Sequence, residues 1–322
     1  MARRGARCSG GGTGSIGAAS AGRTRWPVET VRLNEASGSP LAPAPPSRQR
    51  SVAGDGCAPP APSHASVDSV SAHFPLKLVG RRMLAPTVAH LSFQRDDGAP
   101  LDYIPGQFLQ VHFHYADGTA TKRSYSLATQ HDHTMAPGDS VEIAVSYVPG
   151  GAATALFEHL PLGGTVQASG PYGRFCLMPG DANRRYLLIG TGTGVTPYRA
   201  MLPQLAAAID QRGIEVVLLF GARTPEELLY GDEFRAFANL HPNFRFVPCF
   251  SRESPAADSP HAHADVRKGY VQDQLAEFAP NADGDIAYLC GNPNMVDACF
   301  EALKHCGLHV PQIRREKYVS SK

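Results

Sequence analysis

No run of about 18 consecutive apolar residues occurs among the 322, so the sequence offers no membrane-spanning helix. Charge of one sign is also missing: 30 Lys+Arg stand against 29 Asp+Glu, a net of +1. Nucleic acid as a partner therefore has no electrostatic motive. Cysteine is scarce. Cys8, Cys57, Cys176, Cys249, Cys290, Cys299 and Cys306 are odd in number and scattered, a poor disulfide framework, so reduced thiols and a cytoplasmic setting are expected. Histidines pair as His112/His114, His131/His133 and His261/His263, but no third ligand of credible spacing accompanies them, and no metal site is expected.

What is there is unevenly spread. Of residues 1–70, 40 are Gly, Ala, Ser or Pro, and the stretch carries eight Arg, no Lys and the four acids Glu29, Glu35, Asp55 and Asp68. Its net charge is +4, which leaves −3 for the rest (1 − 4). Such a segment buries too little apolar surface to offset the entropy of ordering, so it is expected to lack fixed structure. It reads as an acid-poor transit peptide, which would make the protein organellar, as a solvated arm, or as sequence upstream of the true start. No apolar stretch of the secretory type follows Met1-Ala2-Arg3-Arg4.

The body divides in two. Over residues 71–180, short β-leaning stretches at 74–80, 88–93, 107–113 and 141–148 are punctuated by Asp97-Gly98, Pro105-Gly106, Asp117-Gly118 and Pro149-Gly150. That spacing predicts an antiparallel barrel, interrupted by one helical piece at 154–159. Over residues 181–322, apolar runs at 186–190, 216–221, 244–250 and 286–291 alternate with helical stretches at 197–211, 225–239, 271–278 and 293–305. Runs apolar on both faces followed by helices predict a doubly wound parallel α/β domain, with ligands at the strand carboxyl ends. Thr196-Pro197, Thr224-Pro225 and Asn292-Pro293 look like capped helix starts, and Pro203 should kink the first long helix.

Several short motifs offer chemistry. Arg123-Ser124-Tyr125-Ser126 ends a β-like run with a planar cation, a stacking ring and hydroxyls, or is simply a half-exposed strand. Pro149-Gly150-Gly151-Ala152-Ala153-Thr154 enters a helix, where free N–H groups and the helix dipole favour an anion; the plain alternative is a hairpin turn. Gly170-Pro171-Tyr172-Gly173-Arg174-Phe175 closes the barrel or is a tight turn. Gly190-Thr191-Gly192-Thr193-Gly194-Val195-Thr196-Pro197 follows a strand and opens a helix, the setting for a pyrophosphate, although Pro197 stands where a dinucleotide fingerprint has its last glycine. Cys290-Gly291-Asn292-Pro293 ends a strand, with Cys290 either functional or merely buried. Ser251-Arg252 and Lys268-Gly269-Tyr270 place cations, a hydroxyl and a phenol at strand ends, suited to a phosphate and a base or to solvent.

Taken in order, Arg-x-Tyr-Ser, Gly-Gly-x-x-Thr, Gly-Pro-Tyr-Gly-x-Phe, Gly-Thr-Gly-x-Gly-x-x-Pro and Cys-Gly-x-Pro resemble the ferredoxin–NADP reductase family over residues 74–322. The resemblance implies a barrel that binds FAD and an α/β domain that binds NADP. By it, Arg123, Ser124, the backbone of Gly151, Ala152 and Ala153, and the Thr154 hydroxyl hold the FAD pyrophosphate. Tyr125 stacks on the flavin, Ser126 sits near its N5, and Val145, Tyr147 and Tyr318 join the cofactor site. Gly192, Thr193, Gly194, Thr196 and Gly291 approach the nicotinamide nucleotide, with Cys290 beside its ring. Glu316 balances charge or relays a proton, so that Ser126, Cys290 and Glu316 form the catalytic set. Ser251, Arg252, Lys268 and Tyr270 resemble the 2′-phosphate segment of NADP-specific members, and two cations would distinguish that phosphate from a bare hydroxyl. Glu253 is expected to point away from Arg252 along an extended chain.

The implied activity is hydride transfer from NADPH to FAD, then single electrons to a ferredoxin or flavodoxin, by a monomer. Two departures bear on it. Val319 to Lys322 follow Tyr318, where the plastid-type members end at the aromatic residue. No C-x4-C-x2-C spacing of a plant-type iron–sulfur cluster occurs, so the acceptor is external. The rival readings are the reductase component of an oxygenase, a free-flavin reductase, and a flavin-binding electron-transfer or sensor subunit that takes no hydride.

Overall fold

The computed structural model describes residues 73–131, 135–178, 180–259, 262 and 264–318. The basic arm at 1–70, His133, His261, His263 and the last four residues lie outside these. The described residues fall within one compact unit and form two lobes.

In the first lobe, β1 (Phe74–Ala85), β2 (Val88–Arg95), β3 (Phe108–His114), β4 (Ala120–Ser126), β5 (Val141–Ser146) and β6 (Thr165–Tyr172) pair antiparallel in the order β4-β3-β6-β1-β2-β5. The sheet closes on itself just past Ser126: Leu127 bridges Ile143, and the Ala128 N–H donates to the Glu142 carbonyl at 2.7 Å. Alternation fills the interior, since Leu76, Leu78, Leu109, Val111, Val141 and Ile143 are all nearly inaccessible. α1 (Ala152–His159) plugs this core with Phe157, whose ring meets Phe93 and Tyr125 edge-on. The expected barrel is present, with α1 beginning two residues earlier than read. β6 carries little sequence signal, because Val166 and Ala168 are its inward apolar side chains before Gly170-Pro171.

In the second lobe, β7 (Arg185–Thr191), β8 (Glu215–Ala222), β9 (Phe244–Phe250), β10 (Arg267–Lys268), β11 (Asp285–Gly291) and β12 (Ile313–Lys317) form a parallel sheet in the order β10-β9-β8-β7-β11-β12. Alternate residues serve opposite faces. Leu188, Leu218, Phe220 and Phe246 pack with α2 (Thr196–Arg212) and α3 (Gly231–Leu240). Leu187, Ile189, Leu219 and Val247 pack with α4 (Val271–Gln274) and α5 (Pro293–His305). Burial on both faces explains why the strands read as unbroken apolar runs. Because β7 has β8 on one side and β11 on the other, the loops leaving β7 and β11 diverge and open a crevice between them.

Some local expectations are corrected. Of the three expected caps, Asn292 alone makes cap bonds, its Oδ1 accepting from the N–H groups of Asn294 (2.9 Å) and Met295 (3.4 Å). Thr224 makes no cap bond, and Thr196 lies inside α2 with its Oγ1 buried and unpartnered. The helix expected at 225–239 is a 3-10 turn, Pro225–Glu227, followed by α3; between them Tyr230 takes a left-handed φ of 55°. Tertiary contacts favour that break, because Tyr230 Oη bonds His90 Nδ1 at 2.9 Å and its ring lies under the Arg199 guanidinium. The 271–278 helix divides into α4 and a 3-10 turn, and α2 continues past Pro203 to Arg212. Among the described residues no helix is long and apolar enough to cross a membrane.

Candidate functional site

Strand β4 builds the first half of the site. Its alternation turns Thr121, Arg123 and Tyr125 to the partly covered side and leaves Lys122 and Ser124 exposed. Arg123 donates to Tyr115 Oη (2.8 Å), Thr121 Oγ1 (3.0 Å) and the Lys122 carbonyl (2.9 Å), acceptors that are all neutral. The cation is held in place with its charge uncompensated by these partners. Tyr125 packs its ring edge against Phe157, which sets β4 beside α1. Burial raises the Tyr125 phenol above its usual range, so it stays neutral.

The turn before α1 supplies the second half. The Thr154 hydroxyl accepts from the Val148 N–H at 2.7 Å and so closes the turn. Gly151 occupies the N-cap position, and no side chain caps the helix. The Tyr147 Oη is buried without a partner. Val145 is 1% exposed and packs in the barrel core. An unneutralised guanidinium, an uncapped helix start and an orphaned phenol suit a group with phosphates and polar rings, and the residues fit FAD.

The crevice at β7 and β11 is a cleft of about 740 Å³. Thr191, Gly192, Thr193, Gly291 and Asn292 line one side, and Thr87, Val88 and Ser146 of the barrel line the other. The glycines divide by role. A Cβ on Gly194 would stand 2.3 Å from the Cys290 carbonyl, and one on Gly291 2.6 Å from that of Thr191, so both permit the two loops to pack. Gly192 has nothing within 4 Å and faces open space. A backbone cradle of this width fits a nicotinamide nucleotide.

At the outer end, Ser251 and Tyr270 line the cleft, whereas Arg252 and Lys268 are exposed at the ends of β9 and β10 and do not. Arg252 and Glu253 do not alternate along an extended chain. The chain bends there, and both N–H groups donate to the Arg223 carbonyl, at 3.0 and 3.1 Å. Arg223 is the cation that does line the cleft, paired with Glu227 at 2.6 Å. Sequence reasoning missed it, as it missed Thr87, because no motif surrounds it; its place just past a strand carboxyl end was the available signal.

The two halves meet at Ser126. Its Oγ hydrogen-bonds Tyr318 Oη and lies 3.5 Å from Glu316 Oε1. Glu316 pairs in register with Cys290 across β11 and β12, and the Tyr318 N–H donates to the Gly291 carbonyl at 2.8 Å. Ser126, Cys290, Glu316 and Tyr318, 192 residues apart at the extremes, are thus brought together. Tyr318 lines the cleft, but Cys290 is fully buried and does not, which places its thiol off the cleft wall. Burial pushes the Cys290 thiol and the Tyr318 phenol well up, and pushes the Glu316 carboxyl up to about 7, opposed by its Ser126 bond. A carboxyl poised near neutrality beside a serine hydroxyl can hold or release a proton there.

Residues 75–176 match the "Oxidoreductase FAD-binding domain" family and residues 188–301 the "Oxidoreductase NAD-binding domain" family. Fold and site therefore define an oxidoreductase that binds FAD and a nicotinamide dinucleotide in two adjoining lobes. Ferredoxin–NADP reductase B of Sorangium cellulosum is 33% identical over 252 residues, which cover 76% of this chain and 97% of that protein. The chain belongs to the ferredoxin–NADP reductase family. The reductase subunit of an aromatic O-demethylase from Amycolatopsis sp. is 35% identical over 223 residues, 68% of this chain, and the match spans 62% of that subunit's length. Amycolatopsis cytochrome P450 reductase superposes with a TM-score of 0.65 at 31% identity, covering 76% of this chain and 69% of the other. A Neisseria gonorrhoeae ferredoxin NADP+ reductase with bound FAD and NADP shares the fold, at a TM-score of 0.63 and 22% identity over 76% of this chain and 98% of that one.

Proposed function

We propose that the chain is an NADPH-dependent reductase whose electrons leave for a ferredoxin or flavodoxin. The observation that carries this reading is the meeting of Ser126, Glu316 and Tyr318 where the nucleotide cleft reaches the barrel. Arg123 and the backbone of residues 151–153 hold the FAD pyrophosphate, and Tyr125 and Tyr147 flank the ring system. Gly192 and Thr193 receive the nicotinamide nucleotide. The bound pair supplies hydride transfer from nicotinamide to flavin and the release of electrons one at a time. The chain orients the two rings and keeps water out, while Ser126 and Glu316 hold the proton that accompanies reduction.

The preference for NADPH over NADH rests on charge. Arg252 and Lys268 stand exposed at neighbouring strand ends beside Ser251 and Tyr270, and Arg223 lies on the cleft wall close by. Three cations favour an adenosine ribose bearing a phosphate. The protein works as a cytoplasmic monomer in this reading.

A second reading is favoured by the relatives themselves. By name, one relative is the reductase subunit of an aromatic O-demethylase, and another, 33% identical over 240 residues, is the reductase component of a Pseudomonas phenol 2-monooxygenase. The latter match spans 63% of that component's length. Cytochrome c reduction with NADPH, with and without a panel of ferredoxins and flavodoxins, separates the two. Strong stimulation by a ferredoxin or flavodoxin supports the first reading. No stimulation by any of them, with electrons delivered to an oxygenase, supports the second.

A further inference from the structure

The lobes are joined by a partly buried ion network, centred on Arg199, that the function above leaves unused. Arg199, near the start of α2 and 9% exposed, donates Nη1 to the Ala128 carbonyl and to Glu142 Oε2, and Nε to Glu233 Oε2, each at 2.6 Å. Its guanidinium lies over the Tyr230 ring, 4.9 Å from the centroid. Glu142 Oε1 sits 3.5 Å from His90 Nε2, and Glu233 also accepts from Arg82 (3.0 Å) and Gln130 (3.1 Å).

The attachment points matter. Ala128 lies two residues past Ser126, at the seam where the barrel closes. Arg199 lies three residues past Thr196, where the cleft turn Gly192–Val195 runs into α2. One guanidinium therefore ties the strand end that presents Ser126 to the helix that carries the nucleotide turn. The ladder already secures the seam, through the Ala128 N–H and the Leu127–Ile143 bridge. Cohesion alone would be served as well by apolar side chains of similar volume. A rigid fork adds direction, aiming two nitrogens at three acceptors from two lobes, where the single ammonium of lysine has no such fixed geometry.

We propose that Arg199 is a positioning residue for the redox reaction: it sets the location of Ser126 relative to the nicotinamide-nucleotide turn without touching either cofactor. This rests on the reading that Ser126 faces the reacting rings. The test uses FAD-loaded wild type, Arg199→Lys, Ser126→Ala and the double variant. It measures flavin reduction by NADPH in anaerobic stopped flow, and NADP+ affinity by flavin difference spectra.

Arg199→Lys is expected to bind NADP+ within about threefold of wild type. It should slow reduction roughly ten- to hundredfold and alter the shape of the NADP+-induced difference spectrum. The double variant should be no more than about twofold slower than the slower single one, because both act through the same serine. Ser126→Ala at the wild-type rate defeats the underlying reading. Ser126→Ala slow with Arg199→Lys at the wild-type rate, or multiplicative effects in the double variant, overturns the positioning role alone. If Arg199→Lys does not retain FAD, Glu233→Gln replaces it. A roughly three- to tenfold slower reduction with unchanged NADP+ affinity supports the proposal, and the wild-type rate overturns it.

Discussion

Glu316 makes a quantitative prediction about stability. Burial raises its carboxyl from an ordinary 4.5 to about 7 in the folded chain. Between those two values the folded protein keeps a proton that the unfolded chain has released. Proton binding then favours the folded state less and less as pH rises, so stability is fully present below about pH 4.5 and is lost as pH climbs through 7. The two values differ by about 2.5 pH units, and at roughly 1.36 kcal/mol each the loss is about 3 kcal/mol. That figure is an upper bound, since the side chain keeps some access to solvent. Glutamine does not titrate. The stability of the wild type relative to Glu316→Gln should therefore fall by about 2–3 kcal/mol from pH 4.5 to pH 8. Urea unfolding of both proteins at fixed FAD concentration across that range measures it. A difference that stays flat refutes the burial argument, and one that rises with pH means that a cation stabilises the carboxylate.

Other substitutions probe other links. Ser126→Val should leave the fold intact and slow flavin reduction by NADPH about tenfold or more in stopped flow. Arg252→Ala should raise KM for NADPH roughly ten- to hundredfold while barely changing that for NADH; equal loss for both means that Arg252 does not read the 2′-phosphate. Arg185→Ala strips the 3.0 and 2.6 Å bonds from Asp285, which is 3% exposed, and should cost about 3 kcal/mol in urea unfolding. Gly194→Ala sets a Cβ 2.3 Å from the Cys290 carbonyl and should abolish FAD-loaded protein, whereas Gly192→Ala, in open space at φ +54°, should cost about 1 kcal/mol in thermal unfolding.

Much of this architecture is legible in the sequence because burial writes a period. The runs at β7, β8, β9 and β11 are apolar on both faces, and each run read from the sequence lies within one of these strands of the parallel sheet. β6 escaped for the opposite reason: two small inward residues do not make a period. Tyr230 interrupts a plausible helix because His90 and Arg199, far away in sequence, offer it better contacts. The site behaves likewise. Ser126, Glu316 and Tyr318 could be named from the family resemblance, but their hydrogen bonds are a tertiary fact. Thr154 and Gly194 carry motif signatures, and each also has a local structural task, in a turn and in loop packing, that the motif does not announce. Arg223 and Arg199 are the reverse case. Each stands outside any polar motif: Arg223 has a local partner in Glu227 and owes only its place on the cleft wall to the fold, whereas Arg199 gains its barrel partners only when the lobes pack together.

Anaerobic titration of the FAD-loaded protein with NADPH tests the central claim most directly. Near about 450 nm the flavin should bleach fully at roughly one NADPH per FAD, with NADH far less effective. An absorbance that stays unchanged under excess NADPH would contradict the account, leaving a flavin protein that accepts no hydride.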